Sequence, residues 1–177
     1  MPQSIIAASE PSNSNMLTFR KATSDDLGQI TEIYNDAIQK TTATFDTEPK
    51  TQEEQEEWFA NHDASHPILI AEQDSLIVAW ASLSQWSDRC AYCDTAEISL
   101  YVKEEYRGKG IGKQLMKAII QEGKTAGLHT VIARIAGSNK ISVDLCKSFG
   151  FQYIGTMREV GKKFGQLLDV HLMQLIY

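Results

Sequence analysis

Between Val102 and Leu115 the chain changes from a strand pattern to a helix pattern across Arg107-Gly-Lys-Gly-Ile-Gly112, and few folds accommodate that junction. Glycines at alternate positions remove Cβ atoms and permit positive φ, so the backbone itself can approach a ligand. Upstream, Glu97-Ile-Ser-Leu-Tyr-Val102 reads as a largely apolar strand carrying one carboxylate. Downstream, Ile111, Leu115 and Ile119 recur at four-residue steps, with Met116 and Ile120 beside them, as in an amphipathic helix. A side-chain-free turn feeding the positive end of a helix dipole suits a phosphate or pyrophosphate, flanked here by Arg107, Lys109 and Lys113. A flexible strand-to-helix connector is the other reading of such glycines. Two common phosphate loops are excluded by spacing. A P-loop needs four residues between its first glycine and Gly-Lys, followed by Ser or Thr. Here Gly108 and Gly112 enclose three, and Gln114 follows Lys113. The dinucleotide fingerprint needs its third glycine one place later.

The rest of the chain predicts alternating elements. Leu17–Lys21 alternates like a strand, and Thr23-Ser24-Asp25 offers capping oxygens to a helix with Leu27, Ile30, Ile33 and Tyr34 on one side. Residues 35–47 are polar and Thr-rich around Phe45, predicting a short helix and a loop. Thr51 to Glu54 is a capping box opening a helix with Trp58 and Phe59 on its buried side. Residues 67–71 and 76–83 read as a hairpin about Gln73-Asp74-Ser75. Residues 129–135 form a strand, Asn139–Phe149 a helix, and 151–154 and 167–176 two final strands around a turn at Val160–Gly165. The order is strand, two helices, three strands, helix, strand, helix, two strands. It predicts an α/β (α+β) protein with one mixed sheet of about seven strands and helices on both faces.

Composition narrows the partners. In 177 residues, 17 Lys and Arg face 23 Asp and Glu, and no basic stripe offers a nucleic-acid surface. No apolar run has the length of a membrane span. Residues 1–15 lack a basic start and a long apolar segment, so they read as a flexible tail rather than a signal peptide, with residues 16–177 as a single domain. An odd cysteine count of three points to a reducing, cytoplasmic setting. Cys90-Ala-Tyr-Cys93 has the spacing of a zinc or redox pair. No second pair exists, and His62, His66, His129 and His171 supply no ligand spacing, so no metal is expected.

The motif Arg107-Gly-Lys-Gly-Ile-Gly112 resembles the Arg/Gln-x-x-Gly-x-Gly/Ala signature of the GNAT superfamily of N-acetyltransferases. Asn139-Lys-Ile-Ser142-Val-Asp-Leu145, ending in Gly150-Phe151, resembles that family's second cofactor segment. Ile33-Tyr-Asn35, Thr44-Phe45, Trp58, Trp86, Tyr92, Glu97 and Gly161-x-Lys-Phe-Gly165-x-x-Leu-Asp-Val170 resemble the phosphinothricin and methionine sulfone/sulfoximine acetyltransferase branch, so the likeness spans residues 17–174. The resemblance implies the GNAT fold and acetyl-CoA as co-substrate, held by Arg107, Gly108, Lys109, Gly110, Ile111, Gly112 and Lys113. The strand edge at Leu100, Tyr101 and Val102 would pair with the pantetheine arm, and Asn139 and Ser142 would contact the cofactor. It also implies a homodimer in which Phe164 approaches the partner's site.

Acetyl transfer to an amine needs a held cofactor, a deprotonated amine, a stabilised oxyanion and a proton for the thiolate. Glu97 is the candidate base, since burial on an apolar strand raises a carboxyl pKa toward the working range; an edge-strand carboxylate in solvent or a buried structural pair is the plainer alternative. Cys146 stands where the family usually has Tyr or His. Its thiol can donate a proton or simply pack as a small apolar residue. For the acceptor, Arg89 could grip a carboxylate or phosphinate with its guanidinium or stand as a solvent-exposed loop arginine; Tyr92 is a candidate pocket residue, and Phe45 and Phe164 are candidate pocket walls or core. The expected activity is direct acetylation of the α-amine of a small amino acid or analogue. A polyamine or peptide N-terminal acetyltransferase and a non-catalytic acyl-CoA sensor are the alternatives.

Overall fold

A computed structural model describes residues 16–177, and the tail expected over residues 1–15 lies outside them. The elements run β1 (Thr18–Lys21), α1 (Leu27–Lys40), α2 (Gln52–Ala60), β2 (Ile68–Gln73), β3 (Leu76–Gln85), β4 (Thr95–Val102), α3 (Ile111–Thr125), β5 (Thr130–Ala136), α4 (Lys140–Ser148), β6 (Gln152–Lys163) and β7 (Gln166–Ile176). They build one seven-stranded sheet in the order β1-β2-β3-β4-β5-β7-β6. β4 and β5 are its parallel pair, and the other neighbours are antiparallel. The mixed sheet is the expected one.

Two element boundaries differ from expectation. The polar stretch after Asn35 does not start a separate helix. Ala37 and Ile38 continue the buried stripe of Ile30 and Ile33, so α1 runs on to Lys40. The last hairpin is longer than expected: β6 continues to Lys163, and register irregularities at Tyr153/Gly155 and Met157/Gly161 absorb its polar middle. Its turn shrinks to Phe164-Gly165, with φ of 51° and 76° as a primed turn requires. At α2 the capping box forms as read, with Thr51 Oγ1 accepting from Glu54 N–H at 3.3 Å and Glu54 accepting from Thr51 N–H at 2.8 Å.

Helices cover both faces because the strands alternate two sets of apolar residues. On one face Leu69, Ala71 and Ile98 pack with Ile111, Leu115 and Ile119 of α3. On the other, Ile68, Ile70 and Trp80 pack with Ile30 and Ile33 of α1, and Trp58 and Phe59 of α2 close the edge. Leu115 and Ile119 are fully buried, and such burial stabilises by about 1.5–3 kcal/mol per side chain.

The functional consequence lies at the centre of the sheet. The β4–β5 ladder extends only from Thr95–Glu97 to Thr130–Ile132. Beyond Glu97 the strands no longer pair. Lys103 N–H donates to Val78 O at 2.9 Å, and Trp86 N–H donates to Thr95 O at 3.3 Å, so the odd-numbered positions of β4 direct their backbone at β3. By the two-residue period, Ile98, Leu100 and Val102 direct theirs into the gap.

Candidate active site

A cleft of about 570 Å³ opens where β4 and β5 diverge, walled by α3, α4 and the loop after α1. The glycine turn follows the end of β4, with Gly112 beside Leu100 of the cleft wall, but neither Val102 nor any of Arg107–Lys113 lines the cleft itself. Gly108 and Gly110 adopt φ of 74° and 79°, and a Cβ added at either would meet nothing within 4 Å. Gly110 is the N-cap of α3 and supplies no side-chain bond to it. The first intrahelical bond there runs from Gln114 N–H to Gly110 O at 3.2 Å. The N–H groups of Ile111, Gly112 and Lys113 are therefore the orphan donors of a helix start. A Cβ at Gly112 would make ordinary van der Waals contact with Val102 Cγ2 at 3.5 Å and Leu100 Cδ2 at 3.6 Å, so the start of α3 packs beside β4 and has room for an alanine there. Arg107 Nε donates to Val102 O at 3.0 Å and pins the strand end to the turn. The Lys109 ammonium lies 4.8 Å from the Tyr106 ring centroid, and Lys113 is exposed.

Glu97 stands at the point of divergence, in register with Ile132, its side chain 20% exposed. It is not the lone carboxylate of the sequence reading. Arg134, from β5, donates from Nε to Glu97 Oε1 at 2.5 Å. The Arg134 guanidinium also lies 5.9 Å from the Trp86 ring centroid. Arg134 was missed, although an isolated arginine in the apolar run Val131-Ile-Ala-Arg-Ile-Ala136 is the same kind of signal that singled out Glu97.

The far wall carries Asn139 and Ser142, the residues expected to contact the cofactor. Asn139 caps α4, its Oδ1 accepting from Ser142 N–H at 3.1 Å. Both residues line the cleft, as do Leu100, Tyr101 and Cys146. Burial pushes the Cys146 thiol up to about 11, so it stays protonated at neutral pH. Tyr101 packs against Trp80 and Tyr34 with centroids 4.9 and 5.2 Å apart, and burial raises its phenol far above the ordinary value. Tyr34 Oη donates to Asp46 Oδ2 at 2.8 Å and lies 3.0 Å from Thr44 Oγ1. Burial pushes Tyr34 up to about 12.

Phe45 reaches the cleft, and its ring lies flush on Gly161 of β6, where any Cβ would collide with it. Lys163, read in the sequence only as part of the Gly161–Val170 motif and given no role there, is 4% exposed and donates from Nζ to Thr44 O at 2.7 Å. Burial lowers the pKa of that ammonium. Lys163 and Gly161 thus dock the Phe45 loop on the β6–β7 hairpin.

Three expected acceptor contacts do not line this cleft. Arg89 precedes a 3₁₀ turn at Cys90–Tyr92, and Tyr92 is exposed on that turn. Phe164 is 58% exposed at the hairpin tip. Cys90 and Cys93 are exposed free thiols. Among the described residues, no group of three or more His, Cys, Asp or Glu side chains could hold a metal ion.

A mixed sheet parted between parallel strands, with a glycine-rich helix start beside the freed strand β4, defines an acetyl-transferring enzyme of the GNAT class. The Acetyltransferase (GNAT) domain family matches residues 19–172, and the chain belongs to it. It is 38% identical over 160 residues to an L-methionine sulfoximine/L-methionine sulfone acetyltransferase of Pseudomonas paraeruginosa, covering 89% of this chain and 93% of that one. It is 35% identical over 155 residues to a phosphinothricin N-acetyltransferase of Streptomyces coelicolor, covering 85% and 91%. A crystal structure of a phosphinothricin acetyltransferase from Sinorhizobium meliloti in complex with acetyl-CoA superposes with a TM-score of 0.87 at 32% identity, covering 90% and 88%. The protein is an acyltransferase, and acetyl-CoA is its co-substrate. Its residues fit that group: orphan N–H donors at Ile111–Lys113 suit a pyrophosphate, and the backbone of Leu100, which β5 leaves without a strand partner, suits an amide-bearing arm.

Proposed function

We propose that this enzyme acetylates the α-amine of a small amino acid or analogue, with methionine sulfone, methionine sulfoximine and phosphinothricin as leading acceptors. The observation that carries the reading is the place of Glu97, a carboxylate where the strands part, beside the unpaired edge of β4. The names of the relatives supply the acceptor class.

Acetyl-CoA supplies the acetyl group as an activated thioester. The turn from Arg107 to Lys113 binds its pyrophosphate through backbone donors, and Leu100 and Val102 align the arm along β4. Asn139 and Ser142 shape the opposite wall. Glu97 removes the proton from the acceptor's ammonium at Oε2, the oxygen that Arg134 does not engage. The amine then attacks the thioester carbonyl carbon, the carbon–sulfur bond breaks to release CoA as its thiolate, and the proton shed by the new amide nitrogen is balanced by the one that sulfur takes up. Cys146, its thiol held protonated by burial, is a poor nucleophile and is left to donate a proton or to pack.

Residues 16–177 act as one catalytic domain, since both core clusters share a single sheet. The exposed apolar tip of the β6–β7 hairpin, with Val160 52%, Phe164 58% and Leu167 57% exposed, supports a homodimer in which Phe164 meets the partner's cleft. Free thiols at Cys90 and Cys93 support a cytoplasmic setting. No helix among the described residues is long and apolar enough to cross a membrane.

The test is a thiol-release assay with acetyl-CoA and a panel of methionine sulfone, methionine sulfoximine, phosphinothricin, spermidine and a short peptide. Turnover confined to the first three is expected. For Glu97→Gln, kcat falls by roughly 10²–10⁴ with acetyl-CoA binding unchanged, the usual worth of a positioned base. Full turnover by that variant at neutral pH removes Glu97 from the role. Activity on spermidine or peptide alone moves the enzyme to another acceptor class, and silence throughout with acetyl-CoA bound makes it a sensor.

A further inference from the structure

We propose that Arg134 is the acceptor-recognition residue, its guanidinium fork gripping the α-carboxylate while Nε keeps hold of Glu97. The proposal rests on the reading that the acceptor is an α-amino acid. Its physical basis is the place of Arg134 in the sheet. Glu97 and Ile132 form the last pair of the β4–β5 ladder. Arg134 lies two positions further along β5, so it shares the face of Glu97 and stands where the strands have parted.

Charge points the same way. Among the described residues lining the cleft, Arg134 is the sole cation, while Asp46 and Glu97 are its carboxylates. A carboxylate entering this space is repelled by those two and has one basic group to meet. Arg89, the arginine expected in that role, does not line the cleft.

The hydrogen-bond inventory of Arg134 is half spent. Nε donates to Glu97 Oε1, whereas neither terminal nitrogen donates to any described residue. Those two nitrogens form the flat fork that matches a carboxylate in bidentate fashion. The side chain is 53% exposed, so the fork is within reach of an incoming ligand. Trp86, 5.9 Å from the guanidinium carbon, restricts how it can swing.

An α-amino acid carries its amine and carboxylate on the same carbon. A guanidinium that binds the carboxylate at one edge and the base at the other therefore brings the amine to the base. This arrangement selects α-amino acids over amines that lack the carboxylate, and it does so without a contact to the side chain. Tolerance of sulfone, sulfoximine and phosphinate side chains follows.

The experiment compares methionine sulfone with its carboxamide, in which the amine is kept and the negative charge removed, on the full-length enzyme at saturating acetyl-CoA. The wild type is expected to prefer the acid. Arg134→Gln is expected to raise KM for the acid by roughly 10- to 100-fold, the loss of a charged bidentate contact, and to leave KM for the amide unchanged. Arg134→Lys, which keeps the charge without the fork, recovers part of the affinity for the acid. The KM for acetyl-CoA should be the same in all three proteins, which also shows that the variants are folded. A fall in kcat on acid and amide alike at unchanged KM would overturn the proposal, because Arg134 would then act only on Glu97. A wild type that acetylates acid and amide equally well also overturns it, while leaving α-amine acetylation standing. A wild type that acetylates neither, yet turns over spermidine, removes the underlying reading and the proposal with it.

Discussion

Gly110→Ala separates the two duties of the glycine turn. Gly110 has φ of 79° and caps α3. An L-residue in the left-handed region costs about 1–2 kcal/mol, offset by about 0.4–1 kcal/mol because alanine has less freedom to lose from the unfolded chain. The net destabilisation is about 1 kcal/mol, which in a chain of this size lowers Tm by about 2–4 °C. Gly127→Ala is the matched control. Gly127 has φ of 87°, its Cβ position is equally open, and it follows the far end of α3. The helix of 15 residues puts about 22 Å between the two ends. Thermal unfolding should therefore respond alike to both substitutions. Acetyl-CoA binding should not. At Gly110 the new methyl enters the open space above the orphan N–H groups and displaces a phosphate from at least one of them. A hydrogen bond to a charged group is worth about 1.5–3 kcal/mol, so KM for acetyl-CoA should rise roughly 10- to 100-fold. At Gly127 it should not change. Steady-state kinetics with acetyl-CoA as the varied substrate, beside a melting curve for each protein, makes the comparison. Equal KM values for the two variants would refute the assignment of the turn as the pyrophosphate site.

Other expectations concern stability and thiol chemistry. Asp26 is buried and accepts from Arg20 at 2.7 and 2.8 Å and from Thr23 N–H at 2.7 Å, and the guanidinium holds its carboxyl below the ordinary range. A depressed carboxyl stabilises the fold fully above the unfolded value of about 3.9 and loses that contribution as pH falls through the folded one. Asp26→Asn should therefore cost about 1.5–3 kcal/mol at neutral pH. In urea titrations its deficit relative to the wild type should shrink in acid below about pH 4, and a deficit independent of pH would contradict the ion pair. Alkylation of the native enzyme with iodoacetamide at neutral pH should modify Cys90 and Cys93, which are exposed, and spare buried Cys146. Rapid labelling of Cys146, read by mass spectrometry, would show that the wall of α4 opens.

What was legible in the sequence was local. The positive φ of Gly110, the capping box at Thr51, the cap of α4 at Asn139 and the stripe of α3 each follow from interactions within a few residues. The same is true of the apolar alternation that places helices on both faces. Those rules identified the positive-φ glycine turn that opens α3 and marked Glu97 as out of place on its strand. They also left β6 too short, because a bulged strand hides its period.

Only the tertiary structure decided which side chains meet. Glu97 and Arg134 are 37 positions apart, and they touch because β4 and β5 pair in parallel through a helical crossover. Alternation tells which face a residue occupies but not which strand lies beside it. For the same reason the contact of Phe45 with Gly161, and the bond from Lys163 to Thr44, have no signature in either segment alone. Arg89 was close to Glu97 along the chain and stands outside the cleft, while Arg134 was remote and lines it. The sequence by itself determined that a glycine turn opening a helix and a carboxylate would sit on adjoining elements. The parting of β4 from β5 is a property of the whole sheet, and it made the space between them and chose the arginine that faces it.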